Sequence, residues 1–348
     1  MNRMKTICLC LTLILSGCKG GNTGPDVSGI PVELEVRRFE RDFFKLDPQN
    51  PDSGYAALSG KYPGFSSLFL EHILGIPSDD SGGMRRWALQ KFLTDYKPVF
   101  EISEKTFGDM GPAVSELRSS LQRVKHYFPA YEAPTRLITF IGPMDAYAEG
   151  RTGGYGDIIT PEGWGVGLQL HLGADADLYT NEQGQLLYPR YISKRFEPST
   201  IPVNCMKNLI DDLFPGMPTD RTLLDLMVDK GKRMYLLDLF LPPGTADTVK
   251  TGYTKAQLEG AEENEGLIWN FFLTNDLLYE SAGPRIRPFL SDGPKTPELG
   301  DGSPGHIGLF TGRQIVRAYM RKNPGVTPDS LLRTDAKTIL AGSAYKPR

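Results

Sequence analysis

The stretch Leu15-Ser16-Gly17-Cys18 constrains this chain more than any other, because it decides where a folded body can begin. It follows a basic start at Arg3 and Lys5 and an apolar run from Ile7 to Leu15. That order is the layout of a secretory signal peptide. The apolar run is too short to span a hydrocarbon core, which takes about 20 residues, and no Ala-x-Ala triplet offers ordinary cleavage nearby. The small-small-cysteine ending resembles a bacterial lipobox, whose cysteine thiol takes a diacylglyceryl group and whose freed amine takes an acyl chain such as palmitate. Residues 1–17 then form a lipoprotein signal peptide, Cys18 is the lipidation site and residues 18–29 are a flexible Gly-rich tether. A diacylglycerol plus an N-acyl chain exceeds the two lipid signals that stable anchoring needs.

This reading bounds the rest. Losing Arg3 and Lys5 leaves 37 basic side chains against 42 acidic ones, a mild mixed balance with no block that would attract nucleic acid. Cys8 and Cys10 leave with the signal and Cys18 carries lipid, so Cys205 alone remains and no intramolecular disulfide can form. Stability must come from packing, with Cys205 as a small buried apolar residue. Residues 30–348 are long enough for one large domain, and neither a repeat nor a linker divides them. The expected location is the cell envelope, lipid-anchored to the inner or outer membrane. Lys19 after the cysteine, with no acidic export cluster, favours a body facing the periplasm.

The pattern predicts a predominantly helical α+β fold with a small β-sheet. Val32, Leu34 and Val36 alternate with period two and read as a strand leading into a helix or turn with Phe39, Phe43 and Phe44. Residues 55–76 read as helix broken at Tyr62-Pro63-Gly64, and 84–98 as a further helix. Val114, Leu117, Leu121 and Val124 recur at helical spacing between Pro112 and Pro129. Residues 136–141 and 164–172 read as strands, the second alternating strictly from Trp164 to Leu172. Helices are predicted at 198–213, 220–240, 254–280 and 304–322, the last with Ser303 as N-cap and Pro304 at its first position.

No familiar catalytic device emerges. The histidines His72, His126, His171 and His306 are isolated, so the i, i+4 pair that turns two imidazoles toward one zinc is missing, and His171 reads as a hydrogen-bonded structural residue. There is no Gly-x-Ser-x-Gly elbow. Gly153-Gly154-Tyr155-Gly156 and Gly163-Trp164-Gly165-Val166-Gly167 read as loop and bulge glycines rather than a phosphate cradle. Glu259, Glu262, Glu263 and Glu265 read as a solvated helix face. Gly308 and Gly312, four apart on a helix, make a flat stripe for a second helix. No cofactor is expected.

Ser303-Pro304-Gly305-His306-Ile307-Gly308, continuing through Gly312, Gln314-Ile315-Val316-Arg317 and Tyr319-Met320, resembles the C-terminal signature of the GldB gliding-motility lipoprotein family. Met227-Val228-Asp229-Lys230-Gly231-Lys232, Ile268-Trp269 and Tyr345-Lys346-Pro347 match in the same order, as does Val36-Arg37-Arg38-Phe39 near the front. Ser303, Pro304, Gly305, Gly308, Gly312, Trp269 and Lys346 are the signature positions, read as packing or interaction residues. The resemblance implies an accessory or scaffold lipoprotein of a gliding-related envelope machine, without catalytic activity, whose partners are the membrane and other envelope or motility proteins.

It also implies a zincin-like scaffold that has lost its metal. The 198–213 helix would then stand where a His-Glu-x-x-His helix falls, opposite 254–280 across an emptied polar cleft. Two alternatives accompany this reading. One is a ligand-binding lipoprotein that takes a peptide or glycan against the Gly150–Gly165 loop with Tyr155 and Trp164. The other is a divergent zinc-peptidase-like hydrolase using His171, His306 and the acids of 259–265.

Overall fold

The computed structural model describes residues 24–77, 83–145, 156–216 and 221–348. Cys18, the first part of the tether, Tyr155 and the Gly153-Gly154 pair lie outside the described residues. The run predicted as the first strand pairs slightly later than its alternation suggests, as β1 (Glu35–Arg38). With β2 (Arg136–Phe140), β3 (Asp157–Thr160) and β4 (Gly163–Gly167) it makes one sheet of order β1-β2-β4-β3. β1 and β4 flank β2 in parallel, with Val36 beside Leu137 and Ile138 beside Gly165. β3 closes the edge antiparallel to β4. The predicted strand 164–172 stops at Gly167, where the chain turns through a 3-10 segment, Leu168–Leu170. The Gln169 side chain accepts from the Gly142 N–H there, so this stretch serves a neighbouring loop rather than a ladder.

Helices supply the rest, in two hydrophobic clusters. The first surrounds the sheet, where Phe39, Phe43, Phe69 and Phe140 are buried with ring centroids 4.8–6.2 Å apart along the chain of contacts. The amphipathic helix predicted from Val114 to Val124 runs over Gly111–Tyr127 and buries that stripe here. Cys205 is fully buried in this cluster, and burial pushes its thiol well above the ordinary range.

The second cluster forms where helix Leu223–Phe240 crosses helix Ile307–Lys322. Here the glycine stripe acts as the sequence predicts: a Cβ on Gly312 would fall into the Met227 carbonyl, 2.5 Å from its carbon, and one on Gly231 would fall onto the Gly312 carbonyl. Gly308 meets the Phe289 carbonyl at 2.8 Å in the same sense. Trp269 packs edge-on against Tyr345, ring centroids 5.0 Å apart, which seats the C-terminus, while Lys346 beyond it is exposed.

Three expectations need correction. Residues 24–29 are not free tether: Val27 is buried and its carbonyl accepts from the Ile30 N–H. The 254–280 helix is two, Lys255–Glu263 and Glu265–Thr274, with a break at Asn264. Ser303 is not an N-cap. Its hydroxyl joins Thr296, and the helix begins at Ile307 with His306 as N-cap in the left-handed region, φ 62°. Among the described residues no helix is long and apolar enough to cross a membrane.

Candidate functional site

Two polar constellations sit in the interior. The first lies behind the sheet. Asp157 and His171 are buried, with His171 Nε2 at 3.0 Å from Asp157 Oδ2 and Nδ1 at 3.0 Å from Thr200 Oγ1. Asn204 Nδ2 and the Gly167 N–H donate to the Asp157 carboxylate, each at 3.1 Å, and Asn208 Nδ2 donates to the Asp157 carbonyl at 2.7 Å. A buried carboxylate is tolerable only when its lone pairs are met in this way. His171 is thus the structural residue the sequence predicts. Asp157, His171 and Thr200 follow an acid–imidazole–hydroxyl order and are 0, 1 and 6 % exposed.

Helix Thr200–Leu213 carries Asn204 and Asn208 at i, i+4, and both asparagines donate to Asp157. Among the described residues no group of three or more His, Cys, Asp or Glu is arranged to hold a metal ion. The helix's main neighbours are the Gly111–Tyr127 and Leu223–Phe240 helices and β3, not the 255–274 segment. The zincin-like expectation finds no support in this packing. His171 and His306 share no partner, and Glu265 is held by Tyr345 Oη at 2.7 Å and Gln314 Nε2 at 3.0 Å. Trp164, expected to wall a ligand pocket, is fully buried within β4.

The second constellation is a cleft of about 120 Å³ between the two clusters. That exceeds the 10–15 Å³ or so that one water requires and suits a small oxyanion. Its charged lining comes from four separate segments. Lys207 and Asp211 stand one turn apart on helix Thr200–Leu213, and Lys230 and Arg233 come from Leu223–Phe240. Arg195 precedes the first helix, and Asp292 and His306 face each other from the loops before Ile307. A Cβ at Gly305 would collide with the backbone of Gly293, whose nitrogen would be 2.7 Å away. The signature glycine thus lets the 292–293 turn lie against it and brings Asp292 Oδ1 to 3.7 Å from His306 Nδ1. Thr296 Oγ1 donates to the signature Pro304 carbonyl at 2.7 Å, and Ser303 Oγ donates to the Thr296 carbonyl at 3.0 Å, which fixes the same loop.

The electrostatics of this cleft are lopsided. Arg195 pairs with Asp292 at 3.0 Å, and Arg233 pairs with Asp211 and with Asp229. Four cations, Arg195, Lys207, Lys230 and Arg233, line the cleft with the acids Asp211 and Asp292, and Asp229 stands behind Arg233. Desolvation pulls Lys207 down to about 8, aided by the nearby Arg195, and it pulls Lys230 down as well. Burial would raise the Asp292 carboxyl, but the His306 ring and the Arg195 guanidinium together hold it well below the usual range. Burial lowers His306, and Lys230 adds to that against the opposing pull of Asp292. His306 Nε2 is buried without a hydrogen-bond partner. Displaced lysines beside an unsatisfied imidazole nitrogen are the environment of a ligand site rather than of a finished core.

Sequence reading singled out Lys230 and His306 through the signature but gave neither a charge role, and it passed over Arg195, Lys207 and Asp292. The available signal was the i, i+4 pair Lys207 and Asp211 on a helix whose Ile201, Cys205, Leu209 and Ile210 are buried. Comparison with known proteins agrees with the resemblance: the profile of the family described as gliding motility protein GldB matches residues 21–347. No curated protein and no solved structure matches the chain.

Proposed function

The chain belongs to the GldB gliding-motility lipoprotein family, and from that membership we propose that it is an accessory component of an envelope machine, anchored through lipidated Cys18 with its body facing the periplasm, that grips an oxyanion rather than performing catalysis. The observation that carries this reading is the convergence of two family-signature segments, through Lys230 and His306, on the cationic cleft completed by Arg195 and Lys207. The shared chemistry of its ligand is a carboxylate or phosphate presented by an envelope partner, since an anion stabilises ammonium groups that burial has partly stripped of water.

The test is calorimetric titration of the lipidated protein with inorganic phosphate and, separately, acetate. Saturable binding of at least one, lost in Lys207→Met and Lys230→Met with unchanged unfolding temperature, is the expected result. Absence of saturable binding of either anion, or hydrolysis of peptide or ester substrates that depends on His306, would overturn the proposal.

A further inference from the structure

We propose that the groove where the chain enters the folded body is a headgroup site for an anionic phospholipid. The inference rests on anchoring at Cys18 and is independent of the cleft above.

Gly24 and Pro25 line a groove of about 570 Å³ together with Arg123, Tyr127, Tyr235, Lys250, Arg317 and Arg321. Arg123 is its unusual member. The side chain is 8 % exposed, no carboxylate among the described residues pairs with it, and its Nε is buried without a hydrogen-bond partner. A buried guanidinium without a counter-charge is costly, and an incoming phosphate is suited to relieve it because the guanidinium fork matches phosphate oxygens two at a time.

The neighbouring charges are organised differently. Arg313, Arg317 and Lys250 are tied to Asp238 and Asp247 at 2.7–2.8 Å. Arg321 stands exposed at the rim. Among the described residues the groove lining has four cations, Arg123, Lys250, Arg317 and Arg321, and one acid, Asp238; with Arg313 and Asp247 behind it counted as well, the cations still outnumber the acids. Tyr127 and Tyr235 add the amphipathic rings that favour a boundary with lipid.

Position selects the source of the phosphate. Only five residues separate Cys18 from Gly24; the six residue steps, fully extended, reach about 20 Å. A lipidated Cys18 therefore holds the groove within headgroup reach of the bilayer. Gly24 sits over the Arg123 guanidinium at φ +58°, where a Cβ would come within 2.7 Å of Nη1, so the entering chain lies directly across the charge. The groove also exceeds the room a bare phosphate needs, and Leu239 and Met320 supply apolar walls for a glycerol backbone.

The experiment uses the full lipidated chain in vesicles of phosphatidylcholine, with or without phosphatidylglycerol, and reads phenylglyoxal modification of each arginine by peptide mass spectrometry. Phosphatidylglycerol should slow modification of Arg317 and Arg321 several-fold and leave the remote, exposed Arg333 unchanged. Arg123→Gln should abolish that protection. So should Gly24→Asp, which offers Arg123 an internal carboxylate at a position where aspartate tolerates positive φ. The second variant keeps the test decisive if the first fails to fold. Equal protection by inorganic phosphate on pure phosphatidylcholine vesicles would reassign the site to a free anion. Uniform slowing of all arginines, or slowing that survives both variants, would mean unspecific attraction to the surface and would overturn the proposal. The mass of the N-terminal peptide separates the two readings: a bare Cys18 removes the anchoring premise and the groove proposal with it, whereas a lipidated Cys18 without protection removes only the groove.

Discussion

Gly312→Ala is the perturbation whose outcome the fold fixes most tightly. In an isolated helix the change would stabilise by up to about 1 kcal/mol, because alanine loses less backbone freedom than glycine. In this chain the new methyl would enter the Met227 carbonyl, 2.5 Å from its carbon and 3.2 Å from its Cα. Every one of these obstructing atoms is backbone, so rotamer changes cannot relieve the clash. Helices Leu223–Phe240 and Ile307–Lys322 must part until the Met227 carbonyl oxygen, the nearest of these atoms, reaches ordinary contact, a shift of about 1.5 Å, and that opens space around the buried Met227, Ile315 and Val316. Overpacking typically costs about 1–3 kcal/mol, and more where the surroundings are stiff. The obstruction is all backbone, which places the cost at the top of that range or above it; with the propensity gain subtracted, a net loss of about 2 kcal/mol or more is expected. At roughly 2–4 °C per kcal/mol for a chain this large, the unfolding temperature should fall by about 4 °C or more.

Gly260→Ala is the matched control. It places the same methyl in helix Lys255–Glu263, where its nearest neighbour would be the Gly302 carbonyl at 3.9 Å. It should leave stability unchanged or raise it by up to about 1 kcal/mol. Thermal and urea unfolding followed by circular dichroism gives both values. A Gly312→Ala protein as stable as the wild type would refute the described helix crossing.

Two further outcomes follow from the charged interior. Asp247→Asn should destabilise by about 3 kcal/mol or more in urea unfolding, because it removes a counter-charge from Arg313, which is 3 % exposed, and leaves Asp238 to hold three cations. Burial opposes ionisation of Asp247, yet hydrogen bonds from Arg313 and Lys250 hold its carboxyl far below the unfolded value. Its folded state thus binds fewer protons than its unfolded state near pH 4. The contribution is present above that pH and is lost on acidification toward the folded value, so Asp247→Asn should flatten the acid limb of a stability-against-pH curve. In the cleft, Lys207 is held at about 8. Anion affinity at fixed ionic strength should therefore fall as pH rises through 8, and the Lys207→Arg protein, whose guanidinium stays charged there, should lack that inflection. An inflection unchanged in Lys207→Arg would show that another group controls binding.

What was legible in the chain followed the reach of each signal. The Gly111–Tyr127 helix is announced by Val114, Leu117, Leu121 and Val124 because one amphipathic stripe is a local property. The Gly312 contact was readable because two glycines in a helix need a reason that close packing supplies. The strand from Trp164 was overrun because alternation does not report that Gln169 is needed by Gly142, far away in sequence. Ser303 was misassigned for a similar reason: its hydroxyl serves Thr296, a tertiary partner invisible to capping rules. The cleft was the least legible feature. Arg195, Lys207, Lys230, Asp292 and His306 come from distant segments, and none forms a spacing motif with another. Residue type announced charge, and only folding revealed that the charges are gathered and partly desolvated.

The proposed anion site joins the signature histidine to the cleft lysines. Histidine-selective 15N NMR of the lipidated protein tests it most directly, with His306 assigned by His306→Asn, a substitution that accepts the left-handed backbone there. Of the four histidines, His306 should shift saturably as inorganic phosphate or acetate is added, while the sealed His171 stays fixed, and the shift should vanish in Lys207→Met. A His306 resonance indifferent to both anions, or one that responds equally in Lys207→Met, would contradict the claim.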